Sequence, residues 1–253
     1  DEAGAEGLYG IAVVEPRRNL LERRTPSGRA NRPVAANLDR VYVVTSAADP
    51  QPIPQLIDRL CAIAEANEIP VALVINKSEL GPVDKIALRY RNAGYDVFLV
   101  SAKTGKGLDL FFAELRDRES LLTGASGVGK STILHRLQPG LALRTGAVSE
   151  KNRRGKNTTV AAVMVPLSGG GWLVDTPGFS DVGLWGIEPR ELASCFPEMR
   201  NLIDRCKFAD CTHRDEPACS VREATKSGIV DPGRYASYLI LLEELRSEPK
   251  DWE

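Results

Sequence analysis

A chain of 253 residues, 43% hydrophobic and 26% charged, has the composition of a folded protein of one medium domain with small additions. Its formal net charge of −1 excludes a globally basic nucleic-acid binder, and its longest apolar runs, such as "VAAVMVPL", fall well short of the ~18 residues a membrane-spanning helix needs. Five cysteines, three of them between 206 and 219, with no secretory signal, point to a reducing compartment and a metal site rather than disulfides.

The chain opens on Asp1, and "DEAGAEG" lacks a signal-peptide pattern, so it is expected to begin partway through a longer sequence. Residues 8–35 read as short strands and turns, with "YGIAVV" and "NLLERRT" followed by "PSGR". Between Pro16 and Arg40, seven arginines (Arg17, Arg18, Arg23, Arg24, Arg29, Arg32, Arg40) stand against Glu22 and Asp39, a local excess of +5. That excess fits either phosphate neutralisation or a solvated face. From Val41 the pattern alternates: strand "VYVVTS", a helix carrying Ile53, Leu56, Ile57, Leu60 and Ile63, strand "VALVI", and a helix around 82–93. Strand "VFLVS", a helix with Leu108, Phe111, Phe112 and Leu115, strand "SLLTG" and a helix from Lys130 continue it, and two strands follow near "VAAVMVPL" and "WLVD". Alternating strands and helices imply a parallel sheet covered on both faces. Cys61 lies beside an apolar helical stripe, the setting of a packed core thiol. After Ile187 the chain turns helical and more acidic, which places a boundary there.

Three motifs carry chemistry. "GASGVGKS", 124–131, fits Gly-x4-Gly-Lys-Ser between a strand and a helix, the context in which this loop binds phosphates. Backbone N–H groups of Gly124, Ala125, Ser126, Gly127, Val128 and Gly129 wrap the phosphates at the helix's positive end, with Thr132 just beyond. Lys130 is expected to reach the β and γ phosphates and Ser131 to hold Mg²⁺. "DTPG", 175–178, ends a later strand, where a GTPase places the Asp that supports Mg²⁺ (Asp175) and the Gly that senses the γ phosphate (Gly178). Between them, Thr158 and Thr159 of "RRGKNTTV" are alternatives for the hydroxyl that closes over Mg²⁺; a plain polar loop is the other reading of that stretch.

The second motif is a pair of base-reading loops. Asn76, Lys77, Ser78 and Glu79 end one strand; Ser101, Ala102 and Lys103 end another, 25 residues on. A carboxylate at 79 accepts the N1 and N2 protons of guanine and repels the lone pair of adenine, while Lys77 packs along the base. The usual residue at 79 in such loops is Asp, so Glu79 is a departure that bears on base selectivity. In ordinary GTPases the phosphate loop precedes the base loops; here it follows them. Reading 41–119 as the second half of the domain and 120–186 as the first restores every element, joined by the short link "RDRE". The domain is therefore expected to be circularly permuted, with the nucleotide-sensing loop feeding into the C-terminal unit. The third motif is "CKFADCTHRDEPAC": Cys206, Cys211, His213 and Cys219 suffice for a closed tetrahedral Zn²⁺ site. Cys195 is the substitute ligand, and His135 reads as structural.

The permuted order, GxSGVGKS, "DTPGF" and the Cys-x4-Cys-x-His-x5-Cys cluster followed by "SVREATKSGIVDPGRYASY" together resemble the ribosome small-subunit-dependent GTPase family, RsgA/YjeQ/YloQ. "PRRNLL" and "AANLDRV" are similar to that family's junction between an N-terminal OB-fold and its GTPase domain. The resemblance implies an α/β chain with a partial OB-fold (1–38), a circularly permuted P-loop GTPase domain (39–186; base loops, then phosphate loop, then switches) and a helical zinc-binding domain (187–253). It implies GTP and GDP as ligands, Mg²⁺ and one Zn²⁺ as cofactors, and a monomer without membrane contact that binds the small ribosomal subunit and its rRNA. The compartment is the cytoplasm, or an organelle stroma in a plant host. The family's switch loop commonly reads Gly-Arg-His-Thr-Thr; here Asn157 stands where the histidine would be, so no catalytic histidine carries over. Two other readings compete: an RNA-binding zinc module with a vestigial nucleotide site, against which Lys130, Ser131 and Asp175 argue, and an ATP-dependent enzyme, which leaves "NKSE" and "VSAK" without a role.

Overall fold

The computed structural model describes residues 13–14, 16–24, 31–138, 163–175, 183–184 and 187–247. Strands β1 (Leu20–Arg24) and β2 (Asn31–Ala36) form an antiparallel pair with an irregularity between Leu21 and Glu22. The core sheet comprises β3 (Arg40–Ser46), β4 (Val71–Asn76), β5 (Asp96–Leu99), β6 (Glu119–Thr123), β7 (Val163–Pro166) and β8 (Trp172–Asp175), in the spatial order β5-β4-β3-β6-β8-β7. All neighbours run parallel except β7, which returns antiparallel on β8 and so departs from the all-parallel expectation. A turn at residues 167–171 joins β7 to β8, too short for the helical crossover that a parallel neighbour requires.

Period-two alternation within buried strands sorts the core into two layers. Val41, Val43, Leu73 and Ile75 face α1 (Pro54–Ala66), while Tyr42, Val44, Ala72 and Val74 face α3 (Leu108–Leu115) and α4 (Lys130–Leu137). Helix α2 (Asp84–Asn92) puts Ala87 and Tyr90 into the first layer. Cys61 is 1% exposed there, as a core thiol should be, and burial pushes its pKa well up. The link between α3 and β6 is residues 116–118, so the chain passes from the second half of the permuted domain into the first in one short step.

The C-terminal unit is helical: a 3-10 turn (Leu192–Cys195), α5 (Pro197–Ile203), α6 (Ser220–Lys226) and α7 (Pro232–Ser247). It packs over α1, with Arg59 paired to Glu244 at 2.6 Å and Arg200 to Glu65 at 2.6 Å. At the N-terminal end, Arg18 bonds Asp39 at 3.0 Å and Arg40 bonds Glu114 at 2.8 Å. Two of the seven arginines thus hold the fold together instead of forming a free basic face. Val13 and Val14 are exposed and outside any strand; the rest of "YGIAVV" lies outside the described residues. His135 is exposed on α4, so it fills no core position.

Candidate functional site

Parallel register brings the carboxyl ends of three strands together. Ser46 pairs with Asn76 across β3 and β4, and Val43 pairs with Thr123 across β3 and β6, so the loops after 46, 76 and 123 share one edge of the sheet. That edge is where open α/β sheets bind ligands. The 124–131 loop is shaped by glycine: Gly124, Gly127 and Gly129 have φ of 144°, 79° and 96°. A Cβ at Gly124 would run into the Val44 carbonyl, and one at Gly129 into the Asn76 side chain, so the loop sits closer to its neighbours than any other residue permits. Gly129 caps α4, whose first residues are Lys130 and Ser131. Lys130 Nζ donates to the carbonyls of Gly124 and Ala125 at 2.7 and 2.8 Å, which curls the loop around its ammonium. Ser126, Gly127, Ser131 and Thr132 are exposed, so the cradle is open to a ligand.

Asn76, 1% exposed, ties the motifs together. Its Nδ2 donates to the Val128 carbonyl at 2.9 Å, and its Oδ1 accepts from the Ala102 N–H at 3.0 Å. One amide thus clamps the 76–79 loop, the 101–103 loop and the phosphate loop. Lys77 takes a left-handed φ of 57° and reaches the Asp49 carbonyl. Ser78 N–H donates to the Val100 carbonyl at 3.1 Å, and the Ser101 hydroxyl accepts from the Thr104 N–H at 3.0 Å. The Ser101 hydroxyl is also the main reason the exposed Glu79 carboxyl is held below its usual value, with the charges of Lys103 and Lys77 adding to it. Glu79 is therefore ionised at neutral pH, the state in which a carboxylate accepts two hydrogen bonds, one from a ring N–H and one from an exocyclic amino group. Lys103 is exposed on the same rim.

Register places the backbone of Asp175 beside Leu122, two residues before the phosphate loop. Thr158, Thr159 and Gly178 lie outside the described residues, as do Asn157 and Phe179. The glycine cradle, its lysine and the adjacent hydroxyl fit a magnesium nucleotide. A cleft of about 330 Å³ lies elsewhere, between Phe112, Leu137 and Leu167.

Cys206, Cys211, His213 and Cys219 place one ligand atom each within 4.8 Å of the others. Cys206 Sγ and Cys219 Sγ are 3.5 and 3.4 Å from His213 Nδ1 and 3.9 Å from each other, the edge lengths of a tetrahedron around a zinc ion at ~2.0–2.3 Å. Three sulfurs and an imidazole leave no open position, so the site is of the closed, structural type. Cys195 is buried and bonds the Glu191 carbonyl at 3.6 Å, outside this cluster. Burial pushes the Cys211 thiol up to about 12 and holds the His213 pKa down, so the cluster is uncharged unless a cation draws off the thiol protons.

Several supports are silent in the sequence. Glu216 accepts from the Thr212 hydroxyl at 2.6 Å and from the N–H groups of Thr212, Arg214 and Asp215 at 2.7, 2.9 and 3.1 Å; although burial opposes it, the Thr212 hydroxyl, followed by the backbone N–H groups of Thr212 and Arg214, brings its pKa down to about 2. Tyr235 and Tyr238 donate to the carbonyls of His213 and Thr212 at 2.6 and 2.8 Å. Neither the tyrosines nor the 47–53 loop beneath Lys77 belongs to a spacing pattern; the one available cue was the bare proximity of Glu216 to the ligands.

The sequence model of the RsgA GTPase family matches residues 14–185. The small ribosomal subunit biogenesis GTPase RsgA of Gemmatimonas aurantiaca is 49% identical over 241 residues, covering 94% of this chain and 78% of that protein. Its namesake from Moorella thermoacetica is 41% identical over 237 residues, covering 93% and 79%. Among solved structures, YjeQ from Thermotoga maritima superposes with a TM-score of 0.75 at 33% identity, covering 94% of this chain and 79% of that one. YloQ, described as a circularly permuted GTPase, does so at 0.73 and 30%, covering 93% and 75%.

Proposed function

The chain belongs to the RsgA GTPase family, and from that premise we propose that it hydrolyses GTP on the small ribosomal subunit, late in that subunit's maturation. The observation that carries the reading is the Asn76 clamp, which joins two base-reading loops and a phosphate loop at one sheet edge despite their inverted order in the chain. Residues 76–79 and 101–103 bind guanine, and the N–H groups of 124–132 bind the phosphates. Lys130 neutralises charge between the β and γ phosphates. Ser131, Asp175 and one of Thr158 and Thr159 hold Mg²⁺, which bridges phosphate oxygens and draws off developing charge. The Gly178 N–H senses the γ phosphate, and its segment leads directly into the C-terminal unit.

Residues 1–38 belong to an OB-fold, 39–186 to the permuted GTPase domain and 187–253 to a domain built on one structural Zn²⁺. The protein acts as a cytoplasmic monomer and contacts rRNA. No helix among the described residues is long and apolar enough to cross a membrane.

Ras-like GTPases follow the sensing glycine with a glutamine that orients the attacking water. This chain has Phe179 there, which can neither donate nor accept the hydrogen bond that orients water, and Asn157 rather than a histidine in the switch loop. The isolated protein is therefore expected to bind GTP well and hydrolyse it slowly, since positioning and charge stabilisation make up most of phosphoryl-transfer catalysis. Turnover under saturating GTP and Mg²⁺ should rise about 10³-fold or more on adding purified small subunits, the scale of an arginine finger supplied in trans. Equal turnover with and without subunits would show that the chain already completes its own site.

A further inference from the structure

Helix α1 packs against the C-terminal unit and lines one small cavity together with the phosphate loop. On its inner side Ile53, Leu56, Ile57 and Leu60 line a small cavity with Gly124, Ala125 and Val128. On its outer side Asp58, 1% exposed, accepts from Arg234 Nη1 at 2.6 Å and from the Tyr90 hydroxyl at 2.7 Å. Arg234, also 1% exposed, spends its other edge on Glu198 at 2.7 and 3.0 Å and presses its plane against the ring of Phe196 at 4.6 Å. Tyr90 and Tyr95 complete the box, each 5.4 Å away.

A guanidinium and two carboxylates removed from water are tolerated only while their geometry is kept, so α1 cannot shift without exposing or unpairing buried charge. Arg234 rides on α7, and Tyr235 and Tyr238, within the turn that follows it, donate to the carbonyls of His213 and Thr212. The turn carrying the candidate metal ligands is thus tied to α7, α7 carries Arg234, Arg234 is paired with α1, and α1 walls the small cavity beside the 124–131 loop.

We propose that Arg234 is a positioning residue for nucleotide binding, and that through it zinc in the Cys206–Cys219 turn and guanine nucleotide at the phosphate loop strengthen each other's binding. The inference rests on the zinc and nucleotide assignments made above and adds the coupling between them. Linkage makes the effect reciprocal: whatever factor zinc contributes to nucleotide affinity, nucleotide contributes to zinc affinity.

Fluorescent GDP titration of the full chain in Mg²⁺ tests this, comparing zinc-loaded protein with protein treated with the zinc chelator TPEN, which leaves Mg²⁺ in place. Zinc removal should raise the GDP Kd roughly 5- to 10-fold, within the usual range of coupling between sites. The Tyr235→Phe/Tyr238→Phe variant keeps every metal ligand and should raise Kd by a smaller factor at full zinc content. Arg234→Met should raise it as zinc removal does, and Arg234→Lys, which restores the charge without the fork, should recover part of the loss. Hydrogen exchange should quicken together in residues 54–66 and 124–131, and saturating GDP should raise zinc affinity by the same factor that zinc raises GDP affinity. Loss of fold in Arg234→Met leaves the tyrosine variant as the deciding arm. A GDP Kd unchanged within twofold in zinc-free protein and in the tyrosine variant, or exchange changes confined to 187–247, would overturn the coupling. Zinc-loaded wild type that binds no GDP would instead overturn the nucleotide assignment on which it rests.

Discussion

The nucleotide edge and the zinc turn are built on opposite plans. The four candidate zinc ligands fall within 206–219, and a single turn braced by Glu216 brings them together. The candidate nucleotide loops extend from Asn76 to Asp175 and meet only because β5, β4, β3, β6 and β8 lie side by side. The zinc site is closed, with His213 and Cys219 buried, whereas Glu79, Lys103, Ser126 and Ser131 stand exposed on an open rim. A local site can make the folding of its own unit depend on a metal. A dispersed site depends on a sheet that folds without the ligand and waits for it.

The sharpest test of that contrast is metal loss. Cys206→Ser or Cys219→Ser should cost the C-terminal unit its fold, because zinc binding in small sites carries apparent free energies on the order of 10 kcal/mol. Far-ultraviolet circular dichroism should then show loss of α6 and α7 while the sheet survives. Protein purified without chelator should hold close to one equivalent of zinc; a native spectrum with less than about half an equivalent would erase the difference between the two sites.

Next in size is the seam between the regions. Arg234→Ala leaves Asp58 and Glu198 buried without their counter-charge, which should lower stability by about 3–5 kcal/mol in urea unfolding. A change below 1 kcal/mol would mean that water enters the seam freely.

Within the nucleotide edge, Asn76→Ala removes both bonds of the clamp and should cost ~1–3 kcal/mol, read as weaker GDP binding with a modest drop in melting temperature. Melting that falls while GDP affinity holds would make Asn76 a fold residue only. The smallest effect belongs to Glu79→Ala, an exposed change that should leave the melting temperature alone and reduce the preference for GTP over ATP about tenfold through one lost charged acceptor. ATP competing as strongly as GTP in the unmodified protein would remove the case for base reading by Glu79.

Much of this was legible in the chain. Strand and helix periodicity placed every element of the core sheet, because buried strands between amphipathic helices leave few alternatives. The antiparallel return of β7 was missed, since a strand's direction is set by its connection and not by its own residues. The arginine-rich stretch was ambiguous for a related reason: Arg18 and Arg40 find their carboxylates at Asp39, Glu114 and Glu119, and for Glu114 and Glu119 the partner lies far along the chain.

By itself, the sequence determined the residue types that bind phosphate, base and metal, because each of those chemistries demands particular atoms at short spacing: glycines where the backbone must approach, thiolates and an imidazole within reach of one ion. It also determined the permuted order, since the motifs can be satisfied in one fold only if the halves are exchanged. The tertiary structure alone decided that Asn76 locks three loops together, that Glu79 leans on Ser101, and that α1 is caught between the phosphate loop and a buried arginine. Those are contacts between residues from 22 to 176 positions apart. Their geometry comes from strand order and helix packing, and no local pattern in the chain encodes a distance across the core.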